Sequence, residues 1–281
     1  MRATLTLICM ALFFYPVYSK NNPDREVCKA KKALPKRAKD KAPKKANSSV
    51  FLTPSLKTGD KLGNVFCRTM AFSGKDFKTV TKRASGTCVY TVIDNNSLKP
   101  VFETYYNYDG AVEGHSKIAV IENGSKQGKP DGKEFYNNTD GSGVMFNSLI
   151  WGNPPKQLHK GDTWKVNISV PWELGGAGEQ TIRVLETDPV NQVIRLEREG
   201  TCTGYYDHDL KEIDIEKDGK TLHVQVLPGQ SHWKGHTTFK NGLVISDELM
   251  VIRPVTLISG DEKFEANERE YILLNEMPEL Q

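Results

Sequence analysis

The stretch KEIDIEKDGKTLHVQV, residues 211–226, decides the fold class. Isoleucine and valine alternate with polar residues on both sides of an Asp218-Gly219 pair. Alternation marks a strand with one buried face, and Asp-Gly supplies the two positive φ angles of a type I′ hairpin turn. With the turn placed there, Ile215 faces Leu222 and Ile213 faces Val224 on one side. Glu216 faces Thr221 and Asp214 faces His223 on the other. The apolar residues match without adjustment, as a hairpin with one buried side requires.

The same grammar carries the reading forward. Pairing Val226 with Trp233 across a loop of six residues brings His223 opposite His236. An Asn241-Gly242 turn then puts Phe239 opposite Val244 and His236 opposite Asp247. Two candidate sites result. The apolar face of Ile213, Ile215, Leu222, Val224, Val226 and Trp233 offers a surface for an apolar ligand. The polar row Asp214, His223, His236 and Asp247 places two imidazoles between carboxylates, a set able to hold zinc or to act as an acid–base pair. The competing reading of the row is the solvated face of an antiparallel sheet, where such residues are ordinary. The spacing His232-x-x-x-His236 is no metal motif on a strand, because four residues span about 13 Å.

Outside this stretch, from residue 51 onward, short alternating or β-branched runs recur and no amphipathic helix stands out. Candidate strands cover 77–82, 87–93, 100–107, 116–122, 143–150, 163–170, 180–187, 191–198, 211–217, 220–226, 232–240, 243–252 and 264–274. Asp-Gly and Asn-Gly pairs punctuate them. The expected fold is all-β, an antiparallel meander forming a half-barrel, barrel or sandwich. An internal echo suggests two related β halves, 51–156 and 157–275, followed by a tail at 276–281. Leu56-Lys57-Thr58-Gly59-Asp60 returns as Leu158-His159-Lys160-Gly161-Asp162, and Gly86-Thr87-Cys88 returns as Gly200-Thr201-Cys202.

The second half resembles meander-type envelope proteins of Gram-negative bacteria, such as the half-barrel of the periplasmic lipoprotein-carrier group. Leu158-x-x-Gly161-Asp162-x-Trp164 and the hairpin from His236 to Ser246 carry the resemblance. It implies an apolar cavity under a curved sheet and assigns no residue-level site.

The N-terminus reads as an address. Arg2, the apolar run from Leu5 to Phe14, and Val17 with Ser19 form a secretory signal peptide over residues 1–19. Residues 20–50 form a basic Lys/Ala/Pro linker, expected to be disordered because it has almost nothing to bury. Within it, residues 29–46 suit either a solvated spacer or attachment to an anionic envelope surface. The total charge of +3 divides into +1 for residues 1–19, +8 for 20–50 and −6 for 51–281. A folded part that is acidic argues against a nucleic-acid-binding domain. Export permits disulfides among Cys28, Cys67, Cys88 and Cys202, with Cys67–Cys88 favoured for its short loop. Sequons at Asn47, Asn95, Asn123, Asn137 and Asn167 mark surface sites if the host glycosylates.

No GxSxG or HExxH motif occurs, and Leu174-Gly175-Gly176-Ala177-Gly178 opens no helix as a phosphate loop would. Tyr105, Tyr106 and Tyr108 with the four tryptophans suit core packing better than a stacking platform. The expectation is an exported, periplasmic or secreted, non-enzymatic protein that binds an apolar or lipid-like ligand on a concave sheet face. The alternatives are an envelope interaction module held by the basic tail, and a metal-dependent hydrolase with zinc at the histidine row.

Overall fold

The computed structural model describes residues 49–50, 52–96, 99–109, 115–120, 135–137, 145–146, 148–168, 174–175, 177–204 and 211–277. Residues 1–48, with the expected signal peptide, the basic linker and Cys28, lie outside them. The described chain is all-β. Its strands are β1 (Lys61–Gly74), β2 (Val80–Asn96), β3 (Lys99–Tyr108), β4 (His115–Val120), β5 (Phe135–Asn137), β6 (Thr163–Ile168), β7 (Gly178–Asp188), β8 (Val193–Cys202), β9 (Lys211–Lys217), β10 (Lys220–Pro228), β11 (Ser231–Lys240), β12 (Leu243–Ser259) and β13 (Glu262–Glu276). They join in one sheet of order β5-β4-β3-β2-β1-β13-β12-β11-β8-β7-β6, with β10 also on β12 and β9 on β10. All pairings are antiparallel except β4 with β5. The sheet is not closed: β5 and β6 are its ends and do not pair with each other, so the barrel alternative is not formed. No helix among the described residues is long and apolar enough to cross a membrane.

The hairpin that decided the fold class has the expected register. Ile215 pairs with Leu222, Ile213 with Val224, Glu216 with Thr221 and Asp214 with His223. Asp218 and Gly219 have φ of 52° and 76°, and Asn241 and Gly242 have 52° and 78°. Both are the double left-handed geometry that Asn-Gly and Asp-Gly sequences favour.

The next step of the reading is corrected. Val226 does not pair with Trp233; it pairs with Leu257 of β12, and Trp233 pairs with Val251 of the same strand. Strands β10 and β11 therefore run in the same direction, end to end, along one edge of β12. Between them Pro228↔Val255 gives way to His232↔Ile252, four residues against three, which is a one-residue bulge. Pro254 explains the break. Its carbonyl accepts from Gly229 N (2.8 Å), so the same edge is where its missing N–H would have pointed. The chain bends at Pro228-Gly229 instead of turning back.

Other boundaries shift as well. Runs 77–82 and 87–93 belong largely to one strand, β2, and none of the candidate runs covers β1. The described residues of the run 143–150 form no strand: Ser148–Trp151 is a short helical turn, α1, and Met145 makes a single bridge to Leu243. The sequence echo divides. Gly59 and Gly161 share φ of 94°, Gly59 N donates to Val92 O (2.7 Å) and Gly161 N to Val184 O (2.8 Å). Asp60 Oδ2 accepts from Lys57 N (2.7 Å), and Asp162 Oδ2 from His159 N (2.8 Å). These two turns are built alike. The Gly-Thr-Cys segments lie on β2 and β8, which hold different places relative to those turns.

One face of the sheet is covered, chiefly in two blocks, with a third, smaller cluster of Cys88, Tyr90, Val92, Phe102 and Met145 over β2 and β3. Over β7, β8, β11 and β12 the cover is Val50, Ile150, Trp151, Leu158 and Leu174, packed on Ile182, Leu196, Trp233, Phe239 and Leu249. At the other end the β9–β10 hairpin folds over β1 and β13. Ile213, Ile215, Val224 and Val226 pack there on Met70, Phe72, Phe264 and Ala266. Lys78 N donates to Glu216 O (3.1 Å) and Lys78 Nζ meets Glu216 Oε1 (2.6 Å), fastening the free side of β9 to the chain entering β2.

Charges lie buried in this face. Between the two blocks, Arg253 Nη1 donates to Glu268 Oε2 (2.7 Å), Arg253 Nη2 to Leu174 O (2.7 Å), and Arg68 pairs with Glu270. Burial opposes ionisation of Glu270, but Arg68, Lys211 and Arg253 outweigh it and hold its carboxyl below the ordinary value. Within the larger block Arg198 Nη2 donates to Asp247 Oδ2 (2.8 Å), with the guanidinium carbon 4.6 Å from the Trp151 ring centre and 5.5 Å from that of Trp233. Thr237 Oγ1 donates to the other Asp247 oxygen (2.5 Å).

The favoured Cys67–Cys88 disulfide is also corrected. Cys67 stands opposite Ser85 and Cys88 opposite Asn64. A three-residue offset on a pleated pair puts them about 10 Å apart along the strands and on opposite faces, beyond the reach of an S–S bond. No two cysteines among the described residues are at disulfide distance.

Asp247→Ala leaves the Arg198 charge buried without its partner. The variant is expected to lose about 3–5 kcal/mol, measured as a lowered urea midpoint with unchanged slope.

Candidate functional site: a groove across five strands

The residues nominated from sequence do not form one site. Ile213, Ile215, Val224 and Val226 are buried and Leu222 is partly so, all within the block under the β9–β10 hairpin. Trp233 belongs to the other block. The five residues of the hairpin share one apolar face without Trp233, and protein side chains cover it.

The polar row is dispersed, which corrects its register. His223 and Asp214 are neighbours: Nδ1 lies 2.8 Å from Asp214 Oδ1, and Nε2 lies 3.1 Å from Glu212 Oε2. Both ring nitrogens are thus engaged, on an exposed surface. His236 is on β11, 3.9 Å from Glu197, and pairs with Glu248 rather than with Asp247. The cause is a bulge after the Asn241-Gly242 turn. Phe239↔Val244 holds as expected, then Thr238 pairs with Ser246 and Thr237 with Asp247. A slip of one residue turns a side chain to the other face, and Asp247 enters the core. Among the described residues no three His, Cys, Asp or Glu side chains gather as metal ligands would.

The open face holds a different feature. A groove of about 460 Å³ crosses β6, β7, β8, β11 and β12. That volume is within the usual range of small-ligand sites, about 300–1,000 Å³. Register explains its walls. One cross-strand row is Lys165, Thr181, Glu199, Lys234 and Met250; the next is Glu179, Thr201, His232 and Ile252. Met250 and Ile252 are 54% and 45% exposed, and Pro254 continues their line along β12. Glycines bring the strands close beneath. A Cβ at Gly200 would sit 2.1 Å from Glu179 O, and one at Gly235 1.9 Å from Glu248 O.

The groove charges are uncommitted. The side chains of Lys165, Glu179, Glu199, His232 and Lys234 make no hydrogen bond or ion pair with the described residues, although Glu199 stands directly opposite Lys234. On the same face Arg183 pairs with Glu197.

No protein-family model matches this chain, and no curated protein matches it either. Function therefore rests on the site itself.

The run Leu249-Met250-Val251-Ile252 is the sequence signal that would have found the groove. Four successive apolar residues on a strand place apolar groups on both faces.

Hydrogen bonds to the carboxylates of Asp214 and then Glu212 raise the pKa of His223 above its ordinary 6.5. Such a group contributes its stabilisation below the unfolded pKa and loses it as pH rises through the higher folded one. The His223 ring signals in an NMR titration are expected to turn over above pH 6.5, and Asp214→Asn to move that midpoint down.

Proposed function

We infer that this is an exported, non-enzymatic β-sheet protein that binds an apolar or lipid-like ligand in the groove on the open face. The observation that carries the reading is the exposed pair Met250 and Ile252 inside a concave site, with ionisable side chains along its far wall. Isolated exposed apolar residues are ordinary, but a line of them in a groove with polar walls is the form of a binding site. Export is supported by the charged start, short apolar run and small-residue cleavage site of residues 1–19. The envelope-protein resemblance of the second half agrees in kind. The ligand position does not follow that resemblance, because the residues first nominated for it are packed as core.

The mature protein is expected to bind a fluorescent alkyl probe that a fatty-acyl amphiphile displaces. Met250→Lys together with Ile252→Lys should weaken probe binding about tenfold or more, since two buried apolar contacts of about 1–1.5 kcal/mol each are lost. Equal probe affinity in the double variant and the parent would refute the groove as the site.

One observation favours a second role for the N-terminal region: residues 20–50 carry +8 while 51–281 carry −6. A polybasic segment gains about 1 kcal/mol per Lys or Arg near an anionic lipid surface. We propose that residues 29–46 bring the protein to such a surface. Deleting residues 20–48 should release it from envelope fractions at low salt, and unchanged fractionation would remove this role.

A further inference from the structure

The geometry points to a zwitterionic amphiphile as the ligand of the groove: an anionic group on Lys234, a cationic group on Glu199 and Glu179, and a chain on Met250 and Ile252. This deepens the groove-binding reading and rests on it.

Successive strands lie about 4.8 Å apart, so the row Lys165, Thr181, Glu199, Lys234, Met250 is a fixed sequence of groups across the sheet. Charge signs run plus, neutral, minus, plus, then apolar. The adjacent row contributes Glu179 at one end, and His232 beside Ile252 at the other. A purely anionic headgroup would meet two carboxylates in this groove, and like charges there cost affinity and discriminate against the ligand. A neutral headgroup would leave these charges without use for their spacing. A ligand with both signs matches both sets.

The second observation is that these charges are uncommitted. Glu199 and Lys234 are directly opposed, at a separation where side chains about 4.5–5.5 Å apart at Cβ ordinarily pair. They do not bond to each other, and neither bonds to another described residue. A ligand therefore need not break a protein ion pair to be bound. The apolar strip begins immediately beside Lys234, at Met250 on the next strand, which is where the chain of an amphiphile has to start.

The experiment uses the mature chain and three short-chain monomers below their micellar concentrations: dihexanoyl phosphatidylcholine, dihexanoyl phosphatidylglycerol and octyl glucoside. Calorimetric titration is expected to show the choline lipid binding about tenfold tighter than the other two. Lys234→Ala and Glu199→Gln should each weaken the choline lipid about fivefold and leave the glucoside unchanged. Both side chains are exposed and unbonded, and an unchanged urea midpoint confirms that each variant is folded. If the glycerol lipid binds as tightly and Glu199→Gln tightens it, the headgroup is anionic and the proposal is overturned. Equal binding of all three, insensitive to both variants, means that the groove reads the chain alone; this too overturns the proposal but leaves the groove-binding reading standing. If none of the three binds, both fail.

Discussion

The contact between Pro254 and Gly229 sets the architecture. Strand β12 pairs with β13 over almost its whole length, from Ser246 to Ser259. Its other edge has one position that can accept but cannot donate, at Pro254. The strand alongside must break there, and β10 and β11 diverge from the break. Strand β11 goes on to pair with β8, while β10 pairs with β9 and carries the hairpin over the covered face. Without the fork, residues 211–228 would have no route onto Met70, Phe72 and Phe264, and that half of the core would stay open.

The fork also rationalises the order of the sheet. With β9 and β10 set aside, the strands from β6 through β8, β11, β12 and β13 to β1 follow a simple meander interrupted only where the chain closes from β13 back to β1. The β9–β10 hairpin is an excursion between β8 and β11. The groove spans that point, because its walls come from β7 and β8 on one side of the excursion and from β11 and β12 on the other. This is why sequence distance hides it: Glu199 and Lys234 are neighbours in space but separated by the whole excursion.

What was legible in the sequence follows the same division between local and non-local. A two-residue turn fixes register by chain geometry alone, so the Asp218-Gly219 hairpin could be read pair by pair. The Asn241-Gly242 hairpin could be read only as far as Val244, because the bulge at Ile245 has no glycine or proline to announce it. Strand β1 escaped notice because its inward positions include Asn64 and Arg68, while Val65 faces out and is exposed. Polar groups on the buried side erase the alternation on which strand recognition depends. The run 143–150 gave the opposite error: Val144, Met145, Phe146, Leu149 and Ile150 read as a buried strand, and length alone does not separate such a run from the helical turn Ser148–Trp151 that plugs the core.

The choice of face for the ligand is a matter of competition for apolar surface. On the covered face every apolar group named from the sequence is already in contact with another part of the chain, through Trp151 and its neighbours at one end and through the hairpin at the other. Between those blocks lie Arg68, Arg253, Glu268 and Glu270, whose burial is tolerable only while each keeps its partner. An apolar ligand entering there would have to replace packed side chains and separate buried ion pairs. On the open face it displaces only water from Met250 and Ile252, next to charges that have no protein partner to give up. Burial of the same chain area would therefore give more net binding in the groove than beneath the sheet, which is why the proposed ligand site is on the exposed side of β12.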